Sequence, residues 1–216
     1  MTDKPLLYKL DETTFQIKGN AAGFLNGITS NTLEAPLNAF LNQHGRIIAT
    51  FRQKRVSDEE FFISVPTIAE ENLFKHLERY RKLSHVSIIL SDQYACVNLS
   101  NGQIQWAQGL FQNTVSEEEF TLFRLNHHIP LMGIDYQADE FILNVHEYHY
   151  VSYTKGCYLG QEPVAKVHNR SKPSRKLMVV NETACQSQEA AQMTSKIYDP
   201  KCQCYKGFVF VNNKVA

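Results

Sequence analysis

The dipeptide Asn101-Gly102, set between the short runs Tyr94 to Leu99 and Gln103 to Ala107, is the strongest hairpin signal in the chain. Both residue types accept the positive φ that a tight reversal between twisted strands needs. A second reversal, Asn42-Gln43-His44-Gly45, separates Ala39 to Leu41 from Arg46 to Val56. Further strands are expected at Leu6 to Leu10, Phe15 to Lys18, Phe61 to Val65, His85 to Ser91, Phe120 to Leu125 and Phe141 to Val145. Short strands joined by short turns pair with their neighbours in antiparallel order. The expected class is α+β, with largely antiparallel sheet and few helices.

Two helix starts stand out. Asn20 is placed to cap a short helix over Ala21 to Leu25, and Thr67 with Glu70 has the spacing of a capping box. Downstream of Thr67, the residues Ala69, Leu73, Leu77 and Tyr80 share a face that can pack on a sheet. Lys75, His76, Arg79, Arg81 and Lys82 fall elsewhere and read as a solvated face.

With 216 residues, 43% of them hydrophobic and 20% charged, the chain can bury a substantial core as one large or two small domains. The longest aliphatic cluster, Ile88-Ile89-Leu90, is far too short to span a bilayer, and the start of the chain has no apolar leader. Five cysteines without framework spacing fit a compartment where thiols stay reduced, so a cytoplasmic location and no membrane partner are expected. The 22 basic and 22 acidic residues cancel, which removes the global field expected of a nucleic-acid binder.

The chemistry is concentrated in Lys155-Gly156-Cys157-Tyr158-Leu159-Gly160-Gln161-Glu162. The octet combines a cation, a thiol, a phenol, an amide and a carboxylate around two glycines that allow close backbone approach. Pro163 suits the first position of a helix whose leading amides would be free to attract an anion, and Lys166, Arg170, Lys172, Arg175 and Lys176 follow without an acid up to Asn181. Glu162 has two readings: a carboxylate that accepts paired hydrogen bonds from a flat heterocycle edge, or a helix-start charge. Cys157 is either a small buried hydrophobe or, beside Lys155, an accessible thiol with thiolate character.

These residues carry a resemblance. The octet, with Val164-Ala165-Lys166 and His168-Asn169-Arg170, resembles the K-G-C-[YF]-x-G-Q-E signature of YgfZ-type folate-binding proteins, relatives of the glycine-cleavage T-protein. Leu25 to Asn31, Leu41 to Ile47, and Arg124-Leu125 through Pro130 to Gly133 resemble further segments of the family, so the similarity runs over most of residues 6 to 180. The resemblance implies two related α/β subdomains intertwined around a central folate cavity, which would occupy residues 1–174. A short C-terminal β module would occupy residues 175–216. It further implies that tetrahydrofolate is the cofactor, that Cys157 is the working thiol, and that Lys155, Gly156, Tyr158, Gly160, Gln161, Glu162, Lys166, Arg170 and Arg124 shape the folate site. The implied partners are folate and iron–sulfur client or assembly proteins, with tRNA involved at most indirectly through its modification.

The chain also departs from that pattern. Aminomethyltransferase relatives carry an aspartate on the strand after the Gly45-type turn, whereas Arg46-Ile47-Ile48-Ala49-Thr50-Phe51 has no carboxylate before Asp58. A tetrahydrofolate-dependent one-carbon transferase is therefore the second reading, and it requires Asp135 or Glu162 to handle the proton. A tRNA-binding module resting on the Lys166 to Lys176 run is the third. Lys166 replaces an arginine, Ser171 a glycine and His128 a glycine of the family pattern. Only Arg175 to Asn181 and Tyr205 to Val211 read as strands in the C-terminal segment, too few to close a barrel. Cys202-Gln203-Cys204 lacks the second pair a zinc site needs, and no metal is expected; His127-His128 and His146 with His149 read as surface or core residues.

Overall fold

A computed structural model describes residues 5–185 and 187–213. The strands are β1 (Leu7–Lys9), β2 (Glu12–Gly19), β3 (Leu37–Leu41), β4 (Ile47–Ser57), β5 (Glu60–Pro66), β6 (Val86–Ser91), β7 (Gln93–Asn98), β8 (Ile104–Gln108), β9 (Arg175–Asn181), β10 (Thr194–Asp199) and β11 (Cys204–Asn212). The helices are α1 (Ala21–Ile28), α2 (Glu70–Ser84), α3 (Glu117–Asn126), α4 (Ile142–Val145), α5 (Glu147–Tyr150), α6 (Gln161–Arg170) and α7 (Ser187–Ala191). Among the described residues, no helix is long and apolar enough to cross a membrane.

The strands form three sheets, β3-β4-β5-β2-β6, β1-β7-β8 and β10-β11-β9, and every strand pairing in them is antiparallel. In the five-stranded sheet, period-two alternation sends Phe15 and Ile17 of β2 and Phe61, Ile63 and Val65 of β5 to one face. There they join Leu25 of α1 and Leu73 and Leu77 of α2 in the main core. A smaller core gathers Leu10, Val97, Phe120 and Phe123 under the second sheet.

Several local expectations are corrected. Residues 120–125 are helical, because Ser116 and Glu119 form a capping box and Phe120, Phe123 and Arg124 are buried at helical spacing. Phe141 to Val145 is a single helical turn rather than a strand. Thr67 does not cap α2: its hydroxyl donates to Asp11 Oδ1 at 3.0 Å, Glu70 accepts from Thr13 at 2.9 Å, and a 3₁₀ turn precedes the helix. His76 is buried, not solvated. The C-terminal segment supplies a third strand, β10, and its sheet remains open at three strands among the described residues.

That third sheet is fastened to the rest through a buried polar knot. Arg124 of α3 donates to Asp135 Oδ2 at 2.7 Å, to Ser195 Oγ at 2.8 Å and to the Ile129 carbonyl at 3.2 Å. Thr194 donates to the other oxygen of Asp135 at 2.9 Å. His128, where the family pattern has glycine, adopts φ +53°, a left-handed conformation that glycine takes without strain.

Candidate functional site

The octet runs through a turn into α6, and its seat is built largely by the protein itself. Leu159 N–H donates to the Gly27 carbonyl at 3.1 Å. Gly160 has φ +83°, and a Cβ there would stand 2.4 Å from the Asn42 carbonyl oxygen of the β3–β4 reversal. Gly45 on that reversal is equally confined, with a Cβ falling 2.9 Å from Phe141 and Val164. The close approach that Gly160 permits is therefore to the hairpin of residues 42–45, whereas Gly156 faces open space. The helix begins at Gln161, two residues earlier than Pro163 suggests, and Pro163 occupies its third position.

Lys155 turns inward. Its ammonium donates to the Thr29 carbonyl at 2.6 Å and the Asn31 carbonyl at 3.0 Å, and lies 5.2 Å from the centre of the Tyr158 ring. Burial pulls its pKa down to about 8 and pushes that of the buried Tyr158 phenol up to about 12. Lys155 thus ties the octet to the loop after α1, while the Tyr158 ring is buried in the main core. Cys157 is exposed. Glu162, Lys166 and Arg170 are also exposed, and four-residue spacing places them along one stripe of α6. Arg124 is committed to the buried knot with Asp135 and Ser195. Neither Arg124 nor any residue from 155 to 162 lines the two cavities described next.

Those cavities flank the sheet face opposite the aromatic core. Direct cross-strand pairing of Arg52 with Ser64, and of Ser64 with Thr14, puts the three on one face. Alternation adds Glu12 and Thr50 to it. The smaller cavity, about 220 Å³, is lined by Glu12, Thr50, Arg52, Met132, Tyr136 and Tyr150 among others. The larger, about 640 Å³, is bounded by Asn31, Gln53, Trp106, Tyr148 and His149, and Arg52 borders it as well.

Inside the smaller cavity, Arg52 forms an ion pair with Glu12, their side chains 8% and 5% exposed. Glu12 Oε2 and Arg52 Nε are buried without hydrogen-bond partners among the described residues. Burial raises the Glu12 pKa against the opposing charge of Arg52. Tyr136 shares a 2.7 Å hydrogen bond with Thr50 Oγ1, and burial holds the pKa values of Tyr136 and Tyr150 above the ordinary phenol value. The strand after the Gly45 turn thus offers the cavity a hydroxyl and a guanidinium, and the carboxylate comes from β2. Sequence reasoning passed over Glu12, Arg52, Tyr136 and Tyr150. The available signal was the alternation Glu12-Thr13-Thr14-Phe15-Gln16-Ile17, which extends β2 three residues before Phe15.

Asp135, a possible proton handler in the transferase reading, is consumed by Arg124, Thr194 and Ser195. Glu162 lies on the exposed stripe of α6.

No protein-family model matches the chain, and no curated protein matches it. Among solved structures it is similar to the glycine cleavage system aminomethyltransferase T from Bartonella henselae, at 12% sequence identity over 95% of this chain and 78% of that one, with a TM-score of 0.70. The fold of this chain, a mixed α+β arrangement of several sheets, is that of aminomethyltransferase T.

Proposed function

We propose that this chain binds a reduced folate in the cavity beneath the five-stranded sheet, and that it supports the assembly or repair of iron–sulfur proteins through Cys157. The observation that carries the folate reading is the pair of buried, unpartnered polar atoms at the small cavity, Glu12 Oε2 and Arg52 Nε. A carboxylate oxygen seeks a donor and a guanidinium N–H seeks an acceptor, and unpaired polar atoms of this kind are costly to bury. The pterin of a folate presents N–H donors beside a carbonyl on one edge, which meets both needs. A fold shared with a glycine cleavage system aminomethyltransferase adds support.

When bound, a reduced folate supplies nitrogens that can carry a one-carbon unit. The protein's part is to bind and orient. Glu12 and Arg52 hold the polar edge, Thr50 and Tyr136 offer hydroxyls, and Met132 gives an apolar wall. Trp106, Tyr148 and His149 of the larger cavity provide aromatic surface for the remainder of the ligand. Cys157, Glu162, Lys166 and Arg170 lie outside both cavities on exposed surface, where they suit contact with a client protein.

One-carbon transfer is the second reading, and Glu12 is what favours it, as a buried carboxylate with a raised pKa at the cavity. Its ion pair with Arg52 counts against it, because a paired carboxylate is a poor proton acceptor.

Calorimetric titration with tetrahydrofolate tests the reading. Wild type should bind, Glu12→Gln should bind at least tenfold more weakly, and Glu162→Ala should match wild type. Absence of wild-type binding ends the folate reading, and equal affinity in Glu12→Gln removes that carboxylate from the site. Cys157→Ser should retain folate affinity while failing to restore an iron–sulfur enzyme in cells lacking the protein; full restoration would end the thiol role.

A further inference from the structure

The reversal between β10 and β11 carries two of the five cysteines, and they meet. Cys202 Sγ and Cys204 Sγ are 2.8 Å apart, between the length of a disulfide bond, about 2.05 Å, and ordinary non-bonded contact. Gln203 between them has φ +53°, a left-handed turn that folds the chain so that the flanking side chains converge. The reversal is anchored at both ends. Asp199 Oδ1 accepts from Lys201 N–H at 2.9 Å, Asp199 pairs with Lys206, and Lys206 also donates to Asn126 Oδ1 of α3 at 2.6 Å. The pairing of Asp199 with Cys204 sets the strand register there.

The two sulfurs are not equivalent. Cys202 is exposed and Cys204 half-buried. Cys204 is raised above the ordinary thiol value, first by its hydrogen bond with Cys202, so it stays protonated longer. Elsewhere Cys96 is buried with its pKa pushed up to about 11, and Cys157 stands apart on the octet.

We propose that Cys202 and Cys204 form a thiol–disulfide exchange site that reacts with small-molecule disulfides of the glutathione class. The exposed Cys202 thiolate attacks one sulfur of oxidised glutathione, forming a mixed disulfide and expelling one glutathione thiolate. Cys204 then loses its proton and attacks the Cys202 sulfur, breaking the mixed disulfide, forming the Cys202–Cys204 bond and expelling the second glutathione thiolate. Two protein thiols are oxidised and one glutathione disulfide is reduced to two thiols. Excess reduced glutathione drives the sequence backwards.

Trypsin, cutting after Lys201 and Lys206, isolates both cysteines in one pentapeptide, which gives a direct readout. The full chain is equilibrated in buffers of graded oxidised and reduced glutathione, quenched with an alkylating agent and digested. The peptide should appear two hydrogens lighter and unalkylated in the oxidised buffers, and doubly alkylated after excess reduced glutathione. Cys204→Ser should instead accumulate a glutathione adduct on Cys202, since no second thiol resolves it. A wild-type peptide that stays doubly alkylated, keeps the adduct as the variant does, or is cross-linked to Cys157 or Cys185 would overturn the proposal. The closed loop is so short that oxidation should stabilise the fold by less than the roughly 3 kcal/mol of a disulfide that closes a 15-residue loop.

Discussion

The octet and the cavity face are opposites in how they hold their chemistry. Residues 155–162 crowd reactive side chains into one stretch, yet much of that stretch serves its own fit: Gly160 accommodates the Asn42 carbonyl, Lys155 ties down the Thr29 and Asn31 carbonyls, and Tyr158 is buried. The cavity face collects Glu12, Thr14, Thr50, Arg52 and Ser64 from three strands, one or two residues at a time, and leaves two of its charged-group atoms without a hydrogen-bond partner among the described residues. A conspicuous motif can be a joint, and an inconspicuous alternation can be a binding surface.

The comparison is most sharply broken at Arg52. Arg52→Met leaves Glu12 without its counter-charge and should lower stability by about 3–5 kcal/mol, while the double variant Glu12→Gln with Arg52→Met should recover a large part of that loss. Urea unfolding of the two proteins checks it; equal losses would mean the pair is not coupled. At the octet, Gly160→Ala must both leave the left-handed conformation and relieve contact with the Asn42 carbonyl, for a loss of roughly 2 kcal/mol or more. Unchanged stability there would return the glycine to a ligand role.

A third test uses acid. His76, buried on α2 near Arg79, has its pKa lowered to about 4, first by burial. Between pH 6.5 and 4 the unfolded chain binds the proton that the folded one refuses. The stability from neutral His76 is therefore complete above about pH 6.5 and is lost as pH falls towards 4, by up to about 3 kcal/mol. His76→Leu should flatten the fall in melting temperature from pH 7 to pH 5; an identical slope would place the titrating group elsewhere. The smallest effect belongs to Cys157→Ser and Glu162→Ala, exposed changes expected to stay within about 0.5 kcal/mol. A larger loss in either would mean the octet surface is braced as firmly as its interior.

The hairpins at Asn42 to Gly45 and at Asn101-Gly102 were legible because their turn chemistry is local. The helix α3 was missed because a charged residue, Arg124, sits inside its buried stripe and makes Phe120 to Leu125 imitate a strand; the acids ahead of it, with Ser116 and Glu119, were the better guide. Glu12 and Arg52 could not be joined from sequence, since they are 40 positions apart and meet only once the order β4-β5-β2 and its register exist. The third C-terminal strand, β10, escaped because Thr194-Ser195-Lys196 puts three polar residues at its start.

Arg52 borders both cavities, so with Glu12 it acts as a partition between them. A ligand long enough to occupy both would run past the pair and hydrogen-bond its outer atoms while the two charges stay together. Engagement of such a ligand would leave the proton count of the protein unchanged, so its heat would be the same in buffers of different ionisation enthalpy.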